Sequence, residues 1–190
     1  MEIQIKTQRY YRNEEEFEGI CLDLKNDPCP HCKNIGCLIL HGYLYGYTED
    51  TSSEVVKRGH RIFCSNRRRR ERKGCGRTFS VLISGFIKSH TISAESVWKL
   101  LEKIKEDVSL VRAARNSESN IEESGVYRIF RKLKDNQIKI RTFLMSLKDP
   151  PSLKHTKDSA IQTIEHLKSV FKGSLCPVAE FQHFFQASFF

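Results

Sequence analysis

The sequence predicts an α+β chain: a small β unit held by a metal ion, followed by an all-helical unit. Three observations carry this. A Cys-x2-Cys pair, Cys29 and Cys32, opens a stretch of short strand-like segments and turns. From about Ser93 the apolar period changes from two to three and four. Within the first of these regions lies all of the chain's excess positive charge.

The 190 residues are 39% hydrophobic, 29% charged and 10% aromatic, a globular composition for one domain or two small ones. No run of about 18 apolar residues exists, so no membrane span is expected. Met1-Glu2-Ile3-Gln4 has neither a basic nor an apolar leader region, which argues for a cytoplasmic, nucleoid-associated protein. Seven cysteines, an odd number, argue against a full disulfide framework. Net charge is +9, and the segment Lys57–Arg77 holds ten basic residues against one acidic residue, Glu71. The rest of the chain therefore sums to zero, and the concentrated patch points to a polyanionic partner.

Residues 1–28 read as an acidic lead-in, with Glu14, Glu15, Glu16 and Glu18. The run Gly19–Leu24 is a strand or a helix. Strand segments follow at Leu38–Leu40, at the alternating Tyr43, Tyr45 and Tyr47, at Val55–Val56, at Arg61–Phe63 and at Thr78–Ile83. These segments hold few large apolar residues, so residues 29–85 need a staple.

Two thiolates at Cys-x2-Cys spacing wrap one metal from a tight turn, and zinc takes four such ligands in a tetrahedron. Cys64, after a strand segment, and Cys75, between Gly74 and Gly76, supply the second pair. The expected site is a closed Zn2+ site of Cys29, Cys32, Cys64 and Cys75, structural because it leaves no position for water. Cys37, His31, His41 and His60 are alternative ligands. Ten residues separate Cys64 from Cys75, and the run Arg67-Arg68-Arg69-Arg70-Glu71-Arg72-Lys73 fills that gap as a loop. Arginine forks bind phosphate in pairs of hydrogen bonds, so the expected nucleic-acid contacts are Lys57, Arg58, Arg61, Arg67, Arg68, Arg69, Arg70, Arg72, Lys73 and Arg77.

In the helical part, Val97, Leu101, Ile104 and Val108 form one stripe, with Ser93 as N-cap and Trp98 in the core. Ser109 opens a second short helix. A third, with Asn120 and Glu123 at capping-box spacing, runs to about Leu133 with Val126, Ile129, Phe130 and Leu133 inward. A fourth is expected over Ile138–Leu147. Residues 91–148 thus read as a helix-turn-helix domain, with Tyr127, Arg128, Arg131 and Lys132 facing a major groove. Residues 152–190 read as a helical hairpin, about 157–171 and 177–188. Its stripe of Val178, Phe181, Phe185 and Phe189 packs on the core or mediates self-association.

Cys29-Pro30-His31-Cys32, Arg61-Ile62-Phe63-Cys64 and Gly74-Cys75-Gly76-Arg77-Thr78-Phe79-Ser80, followed by a helix-turn-helix, resemble the N-terminal zinc-ribbon and helix-turn-helix region of insertion-sequence transposases and related mobile-element proteins. The resemblance is best over about residues 29–134. It implies zinc on Cys29, Cys32, Cys64 and Cys75 and double-stranded DNA contacted by the third helix. The long Cys64–Cys75 gap departs from the compact form. About 55 residues remain after the helical region, too few for the strand-transfer domain of such enzymes, so no enzymatic activity is expected. A homodimer and a separate catalytic transposase subunit are candidate partners. The competing reading is an RNA-binding or ribosome-associated zinc-ribbon protein.

Overall fold

The computed structural model describes residues 9–49, 54–67, 73–106, 109–117, 121–152 and 158–190. Arg68, Arg69, Arg70, Arg72, Val108 and Asn120 therefore lie outside the described residues. The chain divides into two compact units. One is Met1–Thr48 with Ser52–Ser84, and the other is Glu49–Thr51 with Gly85–Phe190.

The first unit is built on a four-stranded sheet of order β1-β4-β3-β2. Its strands are β1 (Tyr10–Tyr11), β2 (Leu38–Tyr47), β3 (Val55–Cys64) and β4 (Thr78–Ile83), with one helix, α1 (Glu14–Asp23). β2, β3 and β4 form an antiparallel meander, and β1 lies parallel to β4. The separate segments expected at Leu38–Leu40 and Tyr43–Tyr47 are one strand, interrupted by irregularities at Leu40/Gly42 and Leu44/Tyr45. Such irregularities change the alternation of faces, which is why the pattern reads as two pieces.

The acidic lead-in enters this unit's core. Asn13 caps α1, its Oδ1 accepting the Glu16 N–H at 3.0 Å. Glu14, Glu15 and Glu16 then fall in the first helical turn, where the helix dipole favours negative charge. Phe17, Ile20 and Leu24 of this segment pack with Tyr11, Leu38, Ile62 and Val81 around Cys29, Cys37 and Cys64. That core is thin, with only seven buried apolar side chains other than cysteine among the described residues.

His60 sits in this core, 3% exposed, with its ring stacked on Phe17 at 3.5 Å. Its Nε2 lies 3.4 Å from Glu14, which also pairs with Lys57 at 2.7 Å. Burial holds the imidazole pKa below its ordinary 6.5, outweighing the pull of the Glu14 carboxylate. Burial also opposes ionisation of Glu14, but the hydrogen bond and charge of Lys57, with His60, bring its pKa below the ordinary 4.5. Both shifts have one sign. As pH falls through 6.5 the unfolded chain takes up a proton that the folded His60 resists, and below 4.5 Glu14 adds to the loss. The first unit is therefore expected to melt at a lower temperature at pH 5.5 than at pH 7, and His60→Gln should lessen that difference. Tyrosine near-UV circular dichroism reads this, because five of the six tyrosines lie in the first unit. An unchanged difference in His60→Gln would exclude His60 as the responsible group.

The second unit consists of α2 (Ala94–Glu106), α3 (Leu110–Asn116), α4 (Glu123–Met145), α5 (Ser159–Val170) and α6 (Pro177–Phe185). Ser93 caps α2 through its Oγ, which accepts the Ser96 N–H at 3.0 Å, and Ser109 caps α3 onto Arg112 at 3.3 Å. Glu49 supports the first cap, accepting the Ser93 N–H at 3.1 Å and the Ser93 and Ser96 hydroxyls at 2.8 and 2.7 Å. The expected third and fourth helices are one helix of 23 residues, α4. Lys134-Asp135-Asn136-Gln137 contains no glycine or proline, and the inward stripe of Val126, Ile129, Leu133, Ile140 and Leu144 runs across it. Lys134 and Asp135 are exposed and Asn136 and Gln137 half-buried, so the polar stretch is one turn of a continuing helix. The residue before α4 is Glu122, which makes no side-chain cap bond.

The core of this unit is broad and aromatic. Trp98 is 4% exposed, and Val178, Phe181, Phe185 and Phe189 are all buried. The C-terminal stripe therefore packs within its own unit. α6 stops at Phe185 rather than 188 because Gln186 takes a left-handed conformation, φ 52°. Phe189 returns to the core beyond that turn. Buried Gln182 secures the return, accepting the Phe189 N–H at 3.3 Å and donating to the Phe86 carbonyl at 3.0 Å. Phe181 has no exposed surface and meets Phe143, Phe185 and Phe189 with ring centroids 5.0–5.8 Å away. Phe181→Ala should cost about 3–5 kcal/mol, measurable as a lower denaturant midpoint by Trp98 fluorescence. Among the described residues, no helix is long and apolar enough to cross a membrane.

Candidate metal centre

The sulfurs of Cys29, Cys32, Cys64 and Cys75 all lie within 4.8 Å of one another. Cys29 Sγ is 3.8 Å from Cys75 Sγ, and Cys32 Sγ is 3.7 Å from Cys64 Sγ. A tetrahedron of thiolates at 2.3 Å from a zinc ion has edges of about 3.8 Å. These separations are far beyond a disulfide bond of about 2.05 Å. The four residues fit a metal ion, and they are the four expected from the sequence.

Two turns deliver the ligands. In the first, the Cys29 N–H donates to the Asn34 carbonyl at 3.0 Å and the Lys33 N–H to the Cys29 carbonyl at 2.8 Å. Lys33 takes φ 63° to close it, and the His31 N–H points at Cys29 Sγ from 3.4 Å. In the second, Cys64 ends β3, and the Cys75 N–H donates to Cys64 Sγ at 3.3 Å. The Gly76 N–H reaches the Cys64 carbonyl at 2.9 Å, with Gly76 at φ 72°. Gly74 is needed for a different reason: a Cβ there would lie 2.5 Å from Cys64 Sγ. Asn34 joins the two turns, its Nδ2 donating to the Lys73 carbonyl at 2.8 Å. Asn34 had no sequence signal, since nothing local marks a side chain that reaches across 39 positions.

Protons compete with a cation for these sulfurs. Burial pushes the Cys29 and Cys64 thiols upward. The Asn34 backbone N–H draws Cys32 down to about 7. A metal must displace protons from these sulfurs, so its hold weakens as pH falls. Of the alternative ligands, His31 is exposed and the other three make contacts of their own. Cys37 is buried with its sulfur 3.9 Å from the Ile35 carbonyl, His41 lies against Phe63, and His60 is stacked on Phe17. Cys176 caps α6, accepting the Ala179 N–H at 3.4 Å, and burial raises its pKa.

The basic segment is anchored on this centre. The Gly74 N–H donates to the Ser65 carbonyl at 2.8 Å, so both ends of residues 66–73 are held beside the sulfurs. Arg61, Arg67, Lys73 and Arg77 are exposed. Lys57 is engaged by Glu14, and Arg58 donates to the Tyr47 carbonyl. In the second unit Tyr127, Arg128 and Arg131 are exposed on α4, while Lys132 turns its Nζ to within 2.6 Å of His90 Nε2. Burial, then the charges of Lys132 and Arg128, keep the His90 pKa below the ordinary value, consistent with a neutral ring accepting from lysine. Compared with family models, curated proteins and solved structures, the chain finds a match in none of the three.

Proposed function

We propose that this chain is a zinc-stabilised DNA-binding protein of mobile-element, transposase-related type. The metal centre is a zinc ribbon in this reading, and the helical unit contributes a helix-turn-helix reader. The observation that carries it is the tether: an arginine-rich segment held at both ends against four converging sulfurs. A metal-pinned loop presents guanidinium groups at lower entropic cost than a free tail. Arg67–Arg70, Arg72 and Lys73 would contact phosphates, which gives affinity without sequence choice. Choice would come from α4, where Arg128 and Arg131 stand three apart on an exposed face. Strand-transfer chemistry is left to a separate catalytic subunit.

Competition between duplex DNA and structured RNA at matched salt tests this reading. Tighter duplex binding supports it, and tighter RNA binding replaces it with the ribosome-associated alternative. Arg128→Ala should lower the preference for the best duplex site by about 1–3 kcal/mol. A variant equally weakened on every sequence would remove α4 from the reading role.

A further inference from the structure

A cavity of about 310 Å3 opens beside the metal centre in the first unit, lined by Lys25, Gly36, Cys37, Leu38, Ile39, His41, Phe63, Ser65 and Arg67. Ile39 and Phe63 are register partners, and strand alternation puts them on the sheet face opposite Ile62. The rings of His41 and Phe63 lie 5.4 Å apart and 38° from parallel, making one aromatic wall. Lys25 and Arg67 are exposed at the rim, and among the described residues neither pairs with a carboxylate. No acidic residue lines the cavity. Arg61 lies on the same face, two residues before Phe63.

The opposite face offers a useful contrast. Tyr43, Tyr45 and Tyr47 are each more than half exposed there, but the nearby cation, Lys57, is bound to Glu14 at 2.7 Å. An incoming phosphate would have to displace that carboxylate. The cavity combines two aromatic rings with two cations that no carboxylate among the described residues pairs, an arrangement that suits a base and its phosphate. Its volume is at the lower end of ligand clefts, about 300–1,000 Å3, room for one nucleotide rather than a groove for a duplex. A paired base keeps its faces stacked on its neighbours and cannot offer one to Phe63.

We propose that this cavity takes one unpaired nucleotide of a nucleic-acid strand, with its base against Phe63 and His41 and its phosphate between Lys25 and Arg67. The inference rests on the nucleic-acid reading above and adds single-stranded substrate to it. The test uses the full-length, metal-loaded chain and fluorescence anisotropy with 12-mer oligo(dT), oligo(U) and a 12-base-pair duplex at one salt concentration. Phe63→Leu should weaken binding of the preferred single strand about 5- to 150-fold, the range for one base–aromatic stack, and leave duplex binding within about twofold. His41→Ala, an exposed position, should act in the same direction without touching the fold, and metal content checks both variants. Lys25→Ala should flatten the single-strand salt dependence by about 0.7 in log–log slope. The tighter of oligo(dT) and oligo(U) identifies the strand as DNA or RNA. Single-strand binding unchanged in both ring variants overturns the proposal, as does polyglutamate competing as well as the oligonucleotide. A parent that binds duplex but neither single strand overturns the proposal and spares the nucleic-acid reading. A parent that binds none of the three overturns both.

Discussion

Cys32→Ser is expected to unfold the first unit while the second stays folded. The two units differ in what holds them. The first has a thin core of Tyr11, Phe17, Ile20, Leu24, Leu38, Ile62 and Val81, with three cysteines among them. The second buries Trp98, four phenylalanine or valine positions of its C-terminal stripe, and the full inward faces of α2, α4 and α5. Binding of a structural zinc ion is worth about 10–16 kcal/mol in small domains, as much as or more than the 5–15 kcal/mol net stability of a typical domain. Removing one thiolate of four therefore removes more than the first unit has to spare. The spectroscopic separation is clean. Tyr10, Tyr11, Tyr43, Tyr45 and Tyr47 report the first unit, and Trp98 reports the second. The variant, or the parent with a chelator, should lose most of its near-UV tyrosine signal and keep the Trp98 emission and the helical far-UV signal. The loss should include α1, because Phe17, Ile20 and Leu24 belong to the same core as Cys29 and Cys64. A Cys32→Ser melt that overlays the parent, or native mass spectrometry of a folded, metal-free chain, would refute the metal centre.

Replacing Arg67, Arg68, Arg69 and Arg70 together with alanine is expected to abolish most binding to nucleic acid of any sequence. Each phosphate neutralised contributes about 0.9 to the slope of log K against log salt on duplex DNA. Four lost contacts should therefore flatten that slope by about 3.6. The chain's net charge would drop from +9 to +5, so long-range steering falls as well. The metal centre should survive, since backbone bonds at Ser65, Gly74 and Gly76 close the turn. Titration at four salt concentrations, with metal content measured alongside, checks this. A slope equal to the parent's would show that the arginines are merely solvated and that phosphate contact lies elsewhere.

How far each feature can be read from the chain depends on whether its cause is local. The Cys-x2-Cys turn, the glycines around Cys75 and the caps at Ser93 and Ser109 are set by residues within a few positions, and the structure shows each one. The inward stripes of α2 and α4 follow a period that needs no partner to be seen. The chain misleads where a local signal has two meanings. The polar stretch 134–137 resembles a break between helices, yet without glycine or proline it is a turn of α4, exposed at Lys134 and Asp135 and half-buried at Asn136 and Gln137. The acidic residues 14–16 resemble a solvated leader, yet they are the first turn of a helix whose other face is core.

The residue types, their spacing and the position of the charge run, all properties of neighbouring residues, were settled by the amino-acid sequence alone. It thereby named four cysteines for one metal and separated a β unit from a helical one. Tertiary structure alone decided that β1 runs beside β4, that His60 stacks on Phe17, that Asn34 links the two metal turns, and that Phe63 and His41 face a cavity with Lys25 and Arg67. Those contacts join residues tens of positions apart. Which of many distant pairs meet is set by the packing of the whole unit, and no single residue's chemistry specifies it.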